Sequence, residues 1–202
     1  MKKTLLLLAG CPGTGKSYLG KLICKAIPDF FNETSIDFFK EKLYDEQGFN
    51  NIEEKKQLDD QAYSLFYQSI ETLMEKGKSI ISDYPFSYRQ HDSLQRLANQ
   101  YAFQVITITL TCDPDVLYQR QRQRDLDPDR HLGFIMNHFH QGDTLPDRTK
   151  MDIQKTKAEF EKFNKIRDYE NFSLGKTIFL NVSDFRKVEY DEVIVKVKTW
   201  LE

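Results

Sequence analysis

The chain has 202 residues, 30% of them charged, and a formal net charge of −2. This length favours a single domain spanning residues 1–202, with a hydrophobic core of ordinary size. The near balance of charge argues against a general nucleic-acid-binding or membrane-binding surface. The three cysteines are an odd number without paired spacing, which argues against a disulfide framework or a cysteine-based zinc site.

The first predicted elements are a buried strand over residues 4–9 and a helix over residues 17–27. Between them, residues 10–17 are Gly-Cys-Pro-Gly-Thr-Gly-Lys-Ser and match the phosphate-loop pattern G-x-x-x-x-G-K-S/T in full. The bare pattern also occurs by chance, but a match that follows a strand and opens a helix is specific. The sequence therefore predicts that the chain binds a nucleoside triphosphate.

Each residue type in the phosphate loop has a predicted role in binding the nucleotide. Its glycines let the backbone approach phosphate oxygens closely, so that consecutive N–H groups point at them. Lys16 can reach the β- and γ-phosphates, and Ser17 can offer a hydroxyl to Mg²⁺. The predicted nucleotide-binding residues are Gly10, Gly13, Thr14, Gly15, Lys16, Ser17 and Tyr18.

The beginning of the chain also imitates a bacterial lipoprotein signal, with two lysines, a leucine run and the segment Leu8-Ala9-Gly10-Cys11. Cleavage before Cys11 would remove Gly10 and destroy the phosphate loop, so the two interpretations exclude each other. The apolar run over residues 5–9 is shorter than the roughly 7–15 residues of a signal core. We therefore expect a cytoplasmic protein without a membrane partner.

Strands and helices follow one another along the remainder of the chain. The apolar spacing predicts strands over residues 30–35, 78–82, 103–111 and 177–182, and helices over residues 37–44, 52–76, 88–100, 114–124, 131–140, 151–169 and 188–200. Strands that alternate with helices indicate a parallel sheet covered on both faces. The predicted fold class is therefore α/β, with a five-stranded parallel sheet in three layers.

Several classes of phosphate-loop protein are distinguished by motifs elsewhere in the chain. A GTPase should have D-x-x-G after its third strand, whereas Asp83 is followed by Tyr84, Pro85 and Phe86. The stretch Asn-Lys-Ile-Arg-Asp at residues 164–168 is one residue too long for the guanine signature N-K-x-D. Motor ATPases usually end an apolar strand in Asp-Glu, and the strand that ends at Asp83 lacks the glutamate. Both classes are therefore disfavoured relative to small-molecule kinases.

Aspartates after the second and third strands suit a kinase. Asp37 follows the second strand, at the sheet edge where nucleotide crevices form, and can accept the proton of a substrate hydroxyl or orient its oxygen. Asp83 ends the third strand and can hold Mg²⁺ or contact the substrate. Asp37 could alternatively be only a cap of the next helix. Tyr84 and Phe86 are candidates for the wall of the acceptor pocket.

Three arginines complete the predicted catalytic set. Arg120 and Arg124 are one helical turn apart and thus share a face of their helix. Arg130 follows in a polar segment, and all three belong to a predicted helical lid over residues 120–145. Arginines on a closing lid stabilise the charge that spreads over a transferring phosphoryl group. Arg120 and Arg124 could alternatively be exposed helix charges.

With these residues the chain resembles the P-loop small-molecule kinases, a group of AAA-type predicted kinases near gluconate kinase, chloramphenicol phosphotransferase and polynucleotide kinase. The resemblance covers residues 3–140 and depends on the loop at 10–17, on Asp37, on Asp83 and on the arginine series. It also includes Arg-His-Leu-Gly at residues 130–133, which is similar to a lid-end Arg-His-Pro-Gly element of some members.

The resemblance implies a phosphotransferase that uses ATP and Mg²⁺ to phosphorylate a hydroxyl group of a small-molecule acceptor. The chain departs from the family at Lys40, where many members have an arginine. The residues assigned to catalysis are Lys16, Asp37, Arg120, Arg124 and Arg130, and those assigned to the metal are Ser17 and Asp83.

Two other functions remain open at this point. An ATP-binding regulatory or adaptor protein would bind ATP tightly without phosphorylating a small molecule. A toxin of the sugar-nucleotide kinase type, similar to the zeta toxins, would share the chemistry of the kinases. Among partners we expect a small-molecule acceptor, and no nucleic acid other than the end of a polynucleotide.

Overall fold

The computed structural model describes all 202 residues. The strands are β1 (Thr4–Gly10), β2 (Phe31–Thr34), β3 (Ser79–Asp83), β4 (Gln104–Thr111) and β5 (Lys176–Asn181). The helices are α1 (Lys16–Ala26), α2 (Ile36–Gln47), α3 (Ile52–Glu75), α4 (Tyr88–Gln100), α5 (Pro114–Leu126), α6 (Lys157–Arg167) and α7 (Tyr190–Leu201). By length and hydropathy, none of these helices qualifies as a membrane span.

All five strands run parallel, in the spatial order β2-β3-β1-β4-β5. Leu7 at the centre of β1 lies opposite Ser82 of β3 and Thr107 of β4. Successive side chains of a strand point to opposite faces, so the sheet buries two clusters. One has 19 buried residues and includes side chains of α1 and α7, and the other has 17 and includes side chains of α3 and α4. The predicted α/β fold with a five-stranded parallel sheet is confirmed.

The predicted helix over residues 131–140 is wrong. Only a three-residue 3₁₀ turn forms there, and Phe139 pairs with Phe49 in an isolated antiparallel bridge. Gly133 packs so closely on Tyr44 that a β-carbon at this glycine would lie 2.3 Å from Cδ2 of the ring. Tertiary packing against α2 therefore overrides the local helical pattern.

The predicted helix over residues 151–169 starts later than its apolar pattern indicates. α6 begins at Lys157, because Thr156 and Glu159 form a capping box around its first turn. Such a pair satisfies two of the N–H groups that a helix leaves free at its start. The helix ends before Asp168, whose left-handed backbone conformation (φ 54°) terminates it.

A third apolar cluster of nine buried residues lies outside the two clusters that cover the sheet. It joins α2 and α3 to the segment after α5 through side chains that include Tyr44, Leu58, Phe139 and Met151. Much of the segment predicted as a lid is therefore packed against the rest of the protein, whereas residues 127–129 are exposed.

Lys55 on α3 contacts this third cluster. Its Nζ donates a hydrogen bond to the carbonyl oxygen of Met136 at 3.1 Å and lies 5.5 Å from the centre of the Phe49 ring. Burial, opposed by the charge of Asp59, lowers the pKa of Lys55 to about 8. The pKa of an unfolded lysine is about 10.4, so between these values the unfolded chain binds more protons and stability rises with pH.

We therefore expect the free energy of unfolding of the wild type to rise relative to that of Lys55→Met between about pH 8 and about pH 10. The expected gain is on the order of 1 kcal/mol, because solvent reaches part of the side chain. Urea unfolding at both pH values measures it. Lys56→Met changes an exposed neighbour and is the matched control. A difference between wild type and Lys55→Met that stays constant with pH would contradict this expectation.

Candidate functional site

The phosphate loop connects β1 to α1 through glycines in unusual conformations. Gly10 has a φ of +117°, and a β-carbon there would lie 2.2 Å from the carbonyl oxygen of Leu110 on β4. Gly13 and Gly15 have φ values of +88° and +85°, which residues with side chains rarely adopt. The loop therefore folds tightly over the carboxyl edge of the sheet.

The N-terminus of α1 is open toward this loop. Gly15 is the N-cap and supplies no side-chain hydrogen bond, so the first N–H groups of the helix lack a capping side chain. The hydroxyl of Thr14 is used within the loop, where it donates to the carbonyl oxygen of Cys11 at 2.8 Å. Free N–H groups and the positive end of the helix dipole together favour an anion such as phosphate.

Lys16 is buried against the loop. Its Nζ donates hydrogen bonds to the carbonyl oxygens of Gly10 at 3.0 Å and Cys11 at 2.8 Å. Burial lowers the pKa of Lys16 to about 8, and the positive charge of Arg124 acts in the same direction. A polyphosphate would relieve this unfavourable environment, because a nearby anion favours the charged amine.

Ser17 and Asp83 are in direct contact, with Oγ of the serine donating to Oδ2 of the aspartate. They lie in the first turn of α1 and at the end of β3, and the pairing of β3 with β1 brings these two elements together. Hydroxyl and carboxylate oxygens are ligands that Mg²⁺ prefers. The donors at this point therefore fit a magnesium ion.

Asp37 lies in the first turn of α2 with its side chain directed to the cleft. The N-cap of α2 is Ser35, whose hydroxyl accepts a hydrogen bond from the N–H of Asp37 at 3.3 Å. The structure thus removes the alternative that Asp37 only caps the helix. Oδ2 of Asp37 is 3.8 Å from Nη2 of Arg124, and both residues line the same cleft as Lys16.

Arg130 enters this cleft from the segment after α5. Its guanidinium carbon lies 3.9 Å from the centre of the Phe134 ring, a cation–π contact. Burial lowers the pKa of Arg130 to about 10, and the neighbouring Arg124 contributes to this shift. A half-buried cation without an ion-pair partner is a suitable contact for a phosphate oxygen.

Arg120 is held differently from the other two arginines. Its guanidinium donates to the carbonyl oxygens of Val182 at 2.8 Å and Ser183 at 3.0 Å. The same group lies 3.7 Å from the centre of the Phe185 ring. Arg120 is therefore fixed to the chain that follows β5, whereas Arg124 pairs with the carboxylate after β2.

One cleft of about 790 Å³ collects most of the predicted side chains. Those that line it are Gly13, Gly15, Lys16, Ser17, Tyr18, Asp37, Asp83, Arg120, Arg124 and Arg130. Gly10 and Thr14 are not part of its wall, because Gly10 lies against β4 and Thr14 is fully buried. Five lysine and arginine side chains and three aspartates line the cleft. The excess of positive charge suits a polyphosphate.

Three aromatic residues of the cleft wall were missed by the sequence-based prediction. Phe185 and Tyr190 follow β5, and Phe134 supports Arg130. The position of Phe185 was a usable signal, because residues after the carboxyl ends of parallel strands line ligand crevices. Tyr84 lines the cleft, whereas the expectation for Phe86 is wrong, since its side chain is fully buried in the core.

A family model described as an AAA domain matches residues 5–141. Among solved structures, a candidate kinase from Chloroflexus aurantiacus aligns over 100% of both chains, with 22% identity and a TM-score of 0.75. A gluconokinase from Sinorhizobium meliloti aligns over 98% of this chain and 94% of its own, with 12% identity and a TM-score of 0.55. A shikimate kinase from Bacteroides thetaiotaomicron aligns over 98% of both chains, with 14% identity and a TM-score of 0.50.

No curated protein matches the sequence. The family match and the aligned structures confirm the resemblance to the P-loop kinases that the sequence predicted. At these identities the structural likeness establishes the fold, and the chemistry has to be argued from the cleft itself.

Proposed function

Because the chain belongs to the AAA domain family whose model matches residues 5–141, we propose that it is an ATP-dependent phosphotransferase. It transfers the γ-phosphate of ATP to a hydroxyl group of a small-molecule acceptor. The phosphate loop binds the polyphosphate, and another part of the cleft holds the acceptor.

The observation that supports this proposal most strongly is the position of Asp37. Its carboxylate lines the same cleft as Lys16 of the phosphate loop and forms an ion pair with Arg124. A kinase needs a carboxylate here to accept the proton of the attacking hydroxyl or to orient its oxygen. A nucleotide-binding adaptor has no need for such a group.

Four of the five cations of the cleft divide into two sets in this proposal. Lys16, Arg124 and Arg130 stabilise the charge on the transferring phosphoryl group. In this proposal Arg120 has a different task from the one that the sequence predicted, because two carbonyl oxygens and the Phe185 ring hold its guanidinium against the segment after β5. We assign Arg120 and Phe185 to the nucleoside end of the cleft, where they form a flat surface for a base.

Ser17 and Asp83 would hold Mg²⁺, which when bound supplies positive charge against the β- and γ-phosphates. The serine hydroxyl donates to the aspartate, so the two side chains that would hold the metal are adjacent.

The proposal is tested by measuring ATP consumption with a panel of nucleosides, sugars, sugar acids, and aminoglycoside- and phenicol-type alcohols. We expect at least one alcohol to stimulate consumption and to gain a phosphoryl group, as detected by mass spectrometry. Lys16→Ala should lower this activity by about 10²-fold or more, because it removes a preorganised cation. Lys25→Ala changes an exposed lysine near the end of α1 and is the matched control.

Tight binding of ATP without phosphorylation of any member of the panel would contradict the proposal. That result would support the alternative of a regulatory or adaptor protein. Equal activity of Lys16→Ala and the wild type would also contradict it, because the activity would then arise outside the phosphate loop.

A further inference from the structure

Arg148 lies outside the cleft but is bonded to the turn that presents Arg130 to it. Its Nη1 donates a hydrogen bond to the carbonyl oxygen of Arg130 at 3.0 Å, and its Nη2 donates to the carbonyl oxygen of Pro128. One planar guanidinium thus holds two carbonyl groups of the same turn, a geometry that a lysine could not reproduce. Arg148 does not line the cleft, so it can act on a ligand there only through another residue.

Arg130 requires such support because its side chain is not fixed by an ion pair. Stacking on Phe134 fixes the plane of the guanidinium, but a cation–π contact allows sliding along the face of the ring. The position of the charge in the cleft is therefore set by the backbone of Arg130. A shift of that backbone moves the cation relative to a bound phosphate.

The turn itself has few bonds besides those of Arg148. The N–H of Arg130 donates to the carbonyl oxygen of Asp127 at 3.0 Å, and the N–H of Asp129 donates to Oδ1 of Asp127 at 2.9 Å. Both are bonds within the turn, and the N–H of Asp127 joins its start to α5 by donating to the carbonyl oxygen of Arg124 at 3.2 Å. Residues 127–129 are exposed, so apolar packing does not fix their position either.

Arg148 connects this turn to the third apolar cluster. Its carbonyl oxygen accepts a hydrogen bond from the N–H of Met151 at 3.3 Å, and Met151 is a buried member of that cluster. The connection runs from the cluster through Arg148 to the carbonyl oxygen of Arg130. These hydrogen bonds link the backbone of Arg130 to the cluster in addition to the chain itself, which reaches the cluster at Leu132.

We infer that Arg148 is a positioning residue that holds Arg130 toward the γ-phosphate end of the cleft. The inference rests on the proposed function, which assigns Arg130 to the transferring group. It predicts that Arg148 contributes to the distinction between a nucleoside triphosphate and a diphosphate, although it touches neither.

A double-mutant cycle on Arg130 and Arg148 tests the inference. Binding of β,γ-imido-ATP and of ADP, each with Mg²⁺, is measured by calorimetry for the wild type, Arg130→Ala, Arg148→Ala and the double variant. We expect each single variant to lose about tenfold of the preference for β,γ-imido-ATP over ADP. The double variant should lose no more than Arg130→Ala alone, because the two residues act as one unit.

Arg148→Lys provides a second variant that keeps the charge and should behave like Arg148→Ala. Arg122→Ala, an exposed arginine on α5, should keep the full preference. Equal weakening of both nucleotides in Arg148→Ala would show a merely structural role and overturn the inference. Additive losses in the cycle, or an unchanged preference in Arg130→Ala, would overturn it as well.

Failure of the inference about Arg148 can be distinguished from failure of the proposed function. The inference can fail while an alcohol of the panel is still phosphorylated in a manner that depends on Lys16. If no alcohol is phosphorylated, the proposed function fails first, and the nucleotide preference of the Arg148 variants then describes binding without transfer.

Discussion

Asp37→Asn is expected to bind ATP with nearly unchanged affinity and to lose phosphoryl transfer by about 10²- to 10⁴-fold. The amide has the size and shape of the carboxylate but cannot accept the proton of the acceptor hydroxyl. The nucleotide should still bind, because the phosphate loop, Lys16 and Ser17 are untouched. Single-turnover transfer to the active alcohol of the panel measures the loss of phosphoryl transfer, and calorimetry with β,γ-imido-ATP measures the nucleotide affinity.

Asp60→Asn is the control for this experiment, because Asp60 is an exposed aspartate on α3, the helix next to α2. It should keep the activity of the wild type. Unchanged turnover in Asp37→Asn would rule out its role as base. A parallel loss of ATP affinity and transfer would instead place Asp37 in nucleotide binding.

Gly10→Ala is expected to lower the free energy of unfolding by about 4 kcal/mol. The new β-carbon would lie 2.2 Å from the carbonyl oxygen of Leu110, so β1 and β4 would have to separate at their last residue pair, at the carboxyl edge of the sheet. The φ of +117° adds the strain of a conformation that alanine rarely adopts. Urea unfolding followed by circular dichroism measures the loss.

Gly142→Ala separates the steric clash from the backbone strain. Gly142 also has a positive φ, +97°, but a β-carbon there would have no neighbour within 4 Å. Its substitution should cost about 1 kcal/mol, the strain alone. Equal losses in the two variants would contradict the explanation, because the contact with Leu110 would then contribute nothing.

The phosphate loop and the sheet could be predicted because their signals are local. The apolar run before Gly10, the glycines of the loop and the helical spacing after Lys16 all lie within one short segment. The β-branched and aliphatic residues of β4 likewise indicate an interior strand without reference to the rest of the chain. Such patterns predict element type well, and the observed order of strands and helices follows them closely.

The segment after α5 could not be predicted in the same way. Its apolar residues have helical spacing over 131–140, yet they do not form one face of a helix. They pack in a buried cluster with side chains of α2 and α3. Gly133 and Phe139 adopt their conformations because of Tyr44 and Phe49, which precede them by about 90 residues. No local pattern contains that contact.

The sequence by itself determined the α/β fold, the phosphate loop and the chemical types of the side chains around it. Only the tertiary structure decided where the guanidinium groups of the three arginines lie, because residues distant in the sequence hold them. Arg120 is held by a carbonyl oxygen 62 residues further along the chain, and Arg124 is held by Asp37. The carbonyl oxygen of Arg130 accepts a hydrogen bond from Arg148, which the sequence pattern did not single out. Sequence motifs indicate which side chains belong to the site, and contacts between residues distant in the sequence determine where their charged groups lie.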